Sequence, residues 1–123
     1  MTTQEVANRY FELAQKGQLE QIQDELYSPD ALSIEPVNDS NLPISVKGIV
    51  AMRQKEAEFY KLIDGMYGGF CKEPIVTTYN FACASGMDVL MKGKERKMKE
   101  QIGVFEVENG KIIKEQFFYN DFK

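Results

Sequence analysis

Apolar residues recur at three- and four-residue steps in the first half of the chain and at every second position beyond about residue 70. Val6, Tyr10, Leu13 and Ala14 share one stripe behind a Thr-rich start, which predicts an amphipathic helix that Gly17 can close. Leu19, Ile22, Leu26 and Tyr27 predict a second, shorter helix, and Ser28-Pro29-Asp30 reads as a stop and a turn. A short strand over 31–35 follows, then a polar loop over 37–43 bounded by prolines, of the kind that borders a pocket mouth. Gly48 precedes a third helix with Ile49, Met52, Phe59 and Ile63 on one face, ending around Asp64-Gly65. Glu56 interrupts that face. Either it stands at the edge of the stripe and reaches water, or it lines a pocket together with Phe59.

The alternating part divides into strands over 70–78, 81–92, 97–107 and 111–119. Asn109-Gly110 is a strong two-residue hairpin signal and Lys94-Glu95 a weaker one. Three helices followed by an antiparallel meander define an α+β class, with the helices laid across one face of the sheet, and 123 residues suit a single domain over 1–123. Two-residue turns at both hairpins put Ser85, Met87, Val89 and Met91 on one face with Met98, Glu100, Ile102 and Val104 and with Glu115, Phe117 and Tyr119. That face is apolar except for Glu100 and Glu115, a composition suited to a pocket for an apolar or amphipathic small molecule. The plainer reading of both carboxylates is a cross-strand or solvent-exposed charge. Ala84, Gly86, Asp88, Gln101, Gly103, Phe105, Gln116 and Phe118 fall on the other face, which is either a homodimer surface or a sheet exposed on one side. A single bulge would exchange the two faces.

Composition narrows the chemistry. The sequence is 43% hydrophobic and 28% charged with a net charge of −4, and its one dense basic run, 92–99, reads as a solvated hairpin tip, so nucleic acid is not an expected partner. Cys71 and Cys83 have no CxxC spacing and there is no histidine, which makes both small core residues and leaves no metal site and no expected disulfide. The first residues lack the basic start and unbroken apolar run of a secretory signal, and no segment reaches the ~20 apolar residues of a membrane helix. The cytoplasm is the default location, without a membrane partner.

Without histidine, acid–base work near neutral pH falls to carboxylates, Tyr, Lys or Cys. Glu35 is the best placed, because it ends the apolar run Ala31-Leu32-Ser33-Ile34 and Pro36 fixes the backbone beyond it. Desolvation inside an apolar cavity would raise the pKa of Glu35, Glu100 or Glu115, whereas pairing with Lys97, Lys99 or Lys114 would remove that effect.

The segments RYFELAQKGQLEQI, LYSPDALSIEP, KGIVAM, VFEVENGKI and EQFFY, in this order, cover nearly the whole chain. Together they resemble the nuclear-transport-factor-2-like superfamily of cone-shaped α+β domains and, within it, the SnoaL-like proteins. The resemblance implies three N-terminal helices packed on a curved, mostly antiparallel sheet. In the ketosteroid isomerases of this superfamily a similar Arg-Tyr pair supplies a hydrogen-bond donor and a similar acidic-Pro junction supplies the base, which implies Tyr10 and Glu35 as a catalytic pair. Superposing the hairpin glycines puts Ile102 where those enzymes keep a protonated aspartate, so no complete catalytic set transfers. The functions this implies are proton transfer next to a carbonyl, in an isomerisation or aldol-type cyclisation that needs no cofactor, or a non-catalytic ligand-binding or dimerisation module.

Overall fold

The structure, a computed structural model, describes residues 1–38 and 40–120. Helix α1 (Thr3–Gln15) begins at a reciprocal cap: Thr2 Oγ1 accepts from the Glu5 N–H at 3.1 Å, and Glu5 Oε1 accepts from the Thr2 N–H at 2.9 Å. These bonds satisfy donors that the first helical turn leaves open. The expected stripe is real, with Val6, Ala7 and Leu13 buried and Tyr10 and Ala14 packed on the core. Helix α2 (Leu19–Leu26) is fastened to α1 by Arg9, whose guanidinium donates to both Glu25 oxygens at 2.7 and 2.8 Å. Helix α3 (Ile49–Tyr60) is held on α2 by Arg53, which donates to Gln23 at 2.9 Å and Asp24 at 2.7 Å.

Seven strands follow these helices and interleave with them: β1 (Tyr27–Ile34), β2 (Ser45–Lys47), β3 (Ile63–Cys71), β4 (Ile75–Val76), β5 (Asn80–Met91), β6 (Lys97–Glu108) and β7 (Lys111–Phe118). Their order is β2-β1-β7-β6-β5-β3, with β4 on β5, and every pairing is antiparallel except β1 with β7. The result is the expected α+β cone of three helices on a mixed, mostly antiparallel curved sheet. No helix among the described residues is long and apolar enough to cross a membrane.

Three boundaries differ from the sequence reading. Ser28-Pro29-Asp30 does not end an element but lies inside β1, where pairing with β7 slips between Tyr27 and Leu32, an irregular stretch that tolerates a proline without an N–H. Ile63 and Asp64-Gly65 open β3 rather than closing α3. Gly68-Gly69, which reads as a break, stays paired with β5 through two irregularities.

The larger correction concerns β6. Asn109-Gly110 forms the expected tight turn, but pairing then slips from Val107–Ile112 to Glu106–Lys114, so Ile113 is an extra residue on β7. At the other hairpin the chain reverses over residues 92–96, around Gly93 at φ +73°, rather than at Lys94-Glu95. Each departure shifts the pairing by an odd number of residues. Together they leave β5 and β7 with the expected faces and invert β6 alone. Lys99, Gln101, Gly103, Phe105 and Val107 therefore face the helices, while Met98, Glu100, Ile102 and Val104 face outward. Lys99 is buried, although its run reads as a solvated tip.

The core sits where α1 meets this inner face. Phe81 and Phe105 stack at 4.6 Å, and Tyr10 lies 5.4 and 4.7 Å from their centroids. Gly103 leaves the room they need: a Cβ there would stand 3.0 Å from the Phe105 ring and 3.1 Å from Phe117. Phe105→Ala is expected to cost about 3–5 kcal/mol in urea unfolding, and Glu100→Ala to stay within about 0.5 kcal/mol. The opposite ranking would restore the unbulged register.

Candidate functional site

Inside the wide part of the cone is a cavity of about 220 Å³, bounded by α1, α2 and α3 on one side and by the inner sheet face on the other. Tyr10, Glu35, Glu56, Phe59, Met87, Glu115, Phe117 and Tyr119 all line it, as do Tyr27, Ser33, Met52, Lys55 and Gln101. Asn38, Ser40 and Leu42 bring the polar loop over 37–43 to its rim, with Asp39 outside the described residues. Glu100 and Ile102 do not line it. The inversion of β6 turns both outward, leaves Ile102 51% exposed, and substitutes Gln101 on the cavity side.

Glu35 occupies the position that the strand end and Pro36 predict, but Lys55 from α3 donates to its Oε2, and the pair is only 13% and 24% exposed. The ammonium occupies one of the two Glu35 oxygens, which leaves a single carboxylate oxygen to meet a ligand. This partner comes from a helix 20 residues away, whereas only Lys97, Lys99 and Lys114 stand out in the sequence as strand neighbours. Beside this pair the Tyr119 hydroxyl accepts from Asn38 Nδ2 at 2.8 Å, and burial, with the Glu35 charge behind it, pushes Tyr119 up to about 12.

The carboxyl deepest in the cavity is Glu115. It projects from β7 opposite Phe105 and beside Ser33 of the parallel strand β1. Ser33 Oγ donates to its Oε2 at 2.7 Å and the Tyr27 hydroxyl donates to its Oε1. Burial pushes the Glu115 carboxyl up against these two hydroxyl donors, which hold it down, and the charges of Glu56 and Glu35 push the same way as burial. Glu56 is likewise raised by burial, opposed by Gln23 Nε2, which donates to its Oε1 at 2.7 Å, and by the Arg53 charge. Glu56 thus lines the cavity and also the open groove between α2 and α3.

Tyr10 stands near this acid: burial raises its hydroxyl well above the usual value, and the Cys83, Glu115 and Cys71 charges add to it. Among the described residues the Tyr10 hydroxyl has no hydrogen-bond partner, yet no fully buried polar atom lacks one, so this hydroxyl opens on the lumen. Tyr27, Ser33 and Lys55 carry no sequence signal of their own. Their roles come from the parallel β1–β7 pairing and from the reach of α3. Cys71 and Cys83 are free, with sulfurs 3.9 Å apart, and Cys83 belongs to the core.

A cone of this topology with a carboxyl-bearing apolar cavity is the architecture of the nuclear-transport-factor-2-like, or cystatin-like, proteins. A family model for the SnoaL-like domain matches residues 1–119, and the chain belongs to that family. A protein from Mesorhizobium loti assigned to the SnoaL-like polyketide cyclases superposes with a TM-score of 0.86 at 28% identity, over 97% of this chain and 100% of its own. A cystatin-like-fold protein of unknown function from Xanthomonas campestris does so with a TM-score of 0.79 at 16% identity, over 98% and 92% of the two chains. TerC, co-crystallised with polyporic acid, gives 0.77 at 13% identity, over 96% and 90%. The last two likenesses speak to fold alone. No curated protein matches the chain.

The site makes stability pH-dependent in a definite direction. In the unfolded chain Glu115 and Glu56 titrate near 4.5, and in the fold both are raised. Between the two values the folded state keeps protons that the unfolded state has released, so stability is full below 4.5 and falls as pH rises through the folded values. The loss is about 1.4 kcal/mol for each pH unit separating the two values. Urea midpoints measured from about pH 4 to about pH 8 are expected to fall less steeply for Glu115→Gln than for the parent chain. Equal slopes would mean that Glu115 ionises in the fold as it does in the unfolded chain.

Proposed function

We propose that the cavity binds a small, largely apolar molecule bearing a carbonyl group, and that Glu115 moves a proton on it. The observation that carries this reading is the pairing of two unlike groups at the deep end: a carboxyl raised by burial and a tyrosine hydroxyl, Tyr10, without a protein partner. A base whose pKa approaches the working pH is more effective than an ordinary surface carboxylate. The Tyr27 and Ser33 hydroxyls hold Glu115 in one orientation while keeping its ionised form accessible.

Glu115 takes a proton from the carbon next to the carbonyl, and the electron pair moves onto the carbonyl oxygen, where Tyr10 donates a hydrogen bond to the developing oxyanion. Returning the proton at a different carbon gives an isomerisation. Attack of the enolate carbon on a second carbonyl of the same molecule gives an aldol-type cyclisation, with Glu115 returning its proton to the new alkoxide. The assignment of the Mesorhizobium loti protein as a SnoaL-like polyketide cyclase supports this class of chemistry. Glu35, paired with Lys55, serves as a polar rim contact instead of the base.

The test uses β-tetralone in deuterated water and follows incorporation of deuterium next to the carbonyl. The parent chain is expected to accelerate exchange. Glu115→Gln should reduce the acceleration by about a hundredfold or more, and Tyr10→Phe by a similar factor through the lost oxyanion donor. Exchange that persists in Glu115→Gln and vanishes in Glu35→Gln would return the role of base to Glu35.

A second reading concerns assembly. The outward sheet face carries Met98, Ile102 and Phe118 at 43%, 51% and 51% exposure beside Val104, Ala82 and Ala84, which together form an apolar patch. We infer a homodimer through this face. Ile102→Lys is expected to shift the sedimentation coefficient from dimer to monomer while leaving the far-ultraviolet spectrum unchanged. A monomeric parent chain would remove this reading.

A further inference from the structure

Charge in and around the cavity is out of balance. Glu35, Glu56 and Glu115 line it with a single cation, Lys55, and Glu35 already holds that cation. Between α2 and α3 an open groove runs into the same space, with Leu19, Glu56 and Tyr60 on both linings. The groove adds Glu20 and Asp24 against Arg53, and Arg53 is taken by Asp24 at 2.7 Å. Lys99, farther along the inner face and outside the cavity lining, has a partner of its own. Among the described residues of the two linings, Glu20, Glu56 and Glu115 are left without a cation in contact.

Glu115 is satisfied by two hydroxyl donors, but Glu56 is not. One Glu56 oxygen accepts from Gln23, and the other has no partner among the described residues, on a half-buried side chain that lines both the cavity and the groove. A half-buried carboxylate oxygen facing a cavity is a ready acceptor for a ligand donor, and a charged donor bonds it most strongly. Nor do the acids converge for a small ion: no three Asp, Glu or Cys side chains among the described residues are grouped to hold a metal. The cavity that Glu56 lines also carries the aromatic and aliphatic side chains of Phe59, Tyr60, Met52 and Leu19. Electron-rich ring faces beside a carboxylate favour an organic cation over a neutral or anionic group.

We propose that the molecule taken up by this cavity carries a protonated amine, which Glu56 holds where the cavity meets the α2–α3 groove while the apolar body lies against Met52, Met87, Phe59 and Phe117. The proposal rests on the cavity being a small-molecule site and goes beyond it by fixing the charge of the ligand. The acidic groove then has a role: it raises the local concentration of cations at the opening and repels anions from it. An ammonium at Glu56 also leaves the Tyr10 and Glu115 end of the cavity open for the uncharged part of the ligand.

Three probes of similar size separate the possibilities: phenethylamine, phenethyl alcohol and hydrocinnamate, titrated into the full chain near neutral pH and followed by calorimetry and ligand-observed NMR. The amine is expected to bind about tenfold tighter than the alcohol, with the carboxylate weakest. Glu56→Gln, which keeps the volume and the bond from Gln23, should bring the amine to the affinity of the alcohol and leave the alcohol unchanged. Glu58→Gln, on the exposed side of α3, should preserve the amine preference. If the alcohol or the carboxylate binds as tightly as the amine, or if Glu56→Gln keeps the preference, the cationic ligand is wrong and the small-molecule site stands. Failure of all three probes to bind would overturn the small-molecule site and the cationic ligand with it.

Discussion

Phe105 lies between Phe81, stacked on it at 4.6 Å, and Tyr10 at 4.7 Å, and this contact decides how the cone is filled. It joins the open end of the long β5–β6 hairpin to the first helix, and through Phe117, edge-on at 6.2 Å, it extends to the last strand. These stacked rings close the core on that stretch of the inner face. Farther along, Met87 and Gln101 line the cavity, with Tyr10 and Phe117 shared between core and lining. A core and a pocket are thus neighbouring stretches of one sheet face. The three helices are tied to one another by Arg9 and Arg53 through bonds to Glu25, Gln23 and Asp24, so they cover the sheet as one layer.

The electrostatics of the cavity follow from that geometry. An isolated carboxylate in such a place costs several kcal/mol, while each hydroxyl or amide donor recovers only about 1.5–3 kcal/mol. For Glu35 the balance closes with a lysine, and the result is an ion pair. For Glu115 two hydroxyls are too little, and burial prevails in raising its pKa. The chain therefore places its acids in different environments: one paired with an ammonium at the rim, one buried against two hydroxyls with its pKa raised. Neither acid could be ranked from its residue type alone.

Local signals in the sequence account for most of the scaffold. The Thr2–Glu5 cap, the Val6–Tyr10–Leu13 stripe and the Asn109-Gly110 turn act over a few residues, and all three appear in the structure. The faces of β5 and β7 were equally legible. Inversion of β6 was not, because parity depends on single residues: Ile113 inserted on one side and a longer reversal at 92–96 on the other. Nothing in the type of Ile113 marks it as the unpaired residue. Contacts such as Lys55–Glu35, Tyr27–Glu115 and Ser33–Glu115 join residues 20, 88 and 82 positions apart, and they exist only once the parallel β1–β7 pairing and the lie of α3 are set. The acids were visible in the sequence; which of them was neutralised was a property of the fold.

The outward turn of Ile102 bears on how motifs move between relatives. Superposing hairpin glycines presumes that the strands leaving the turn keep step, and one extra residue on β7 breaks that assumption. The position matched by motif then lies on the wrong side of the sheet, so its lack of an acid says nothing about the cavity. The inner face does carry an acid, on the neighbouring strand: Glu115 of β7 lines the cavity with Tyr10, and β1, running parallel alongside, supplies the hydroxyls of Ser33 and Tyr27 that an isolated acid would lack. A shift of one residue in a β-bulge therefore changes which sequence positions face the cavity, so the sheet face, and not the count from the turn, decides which side chains line it.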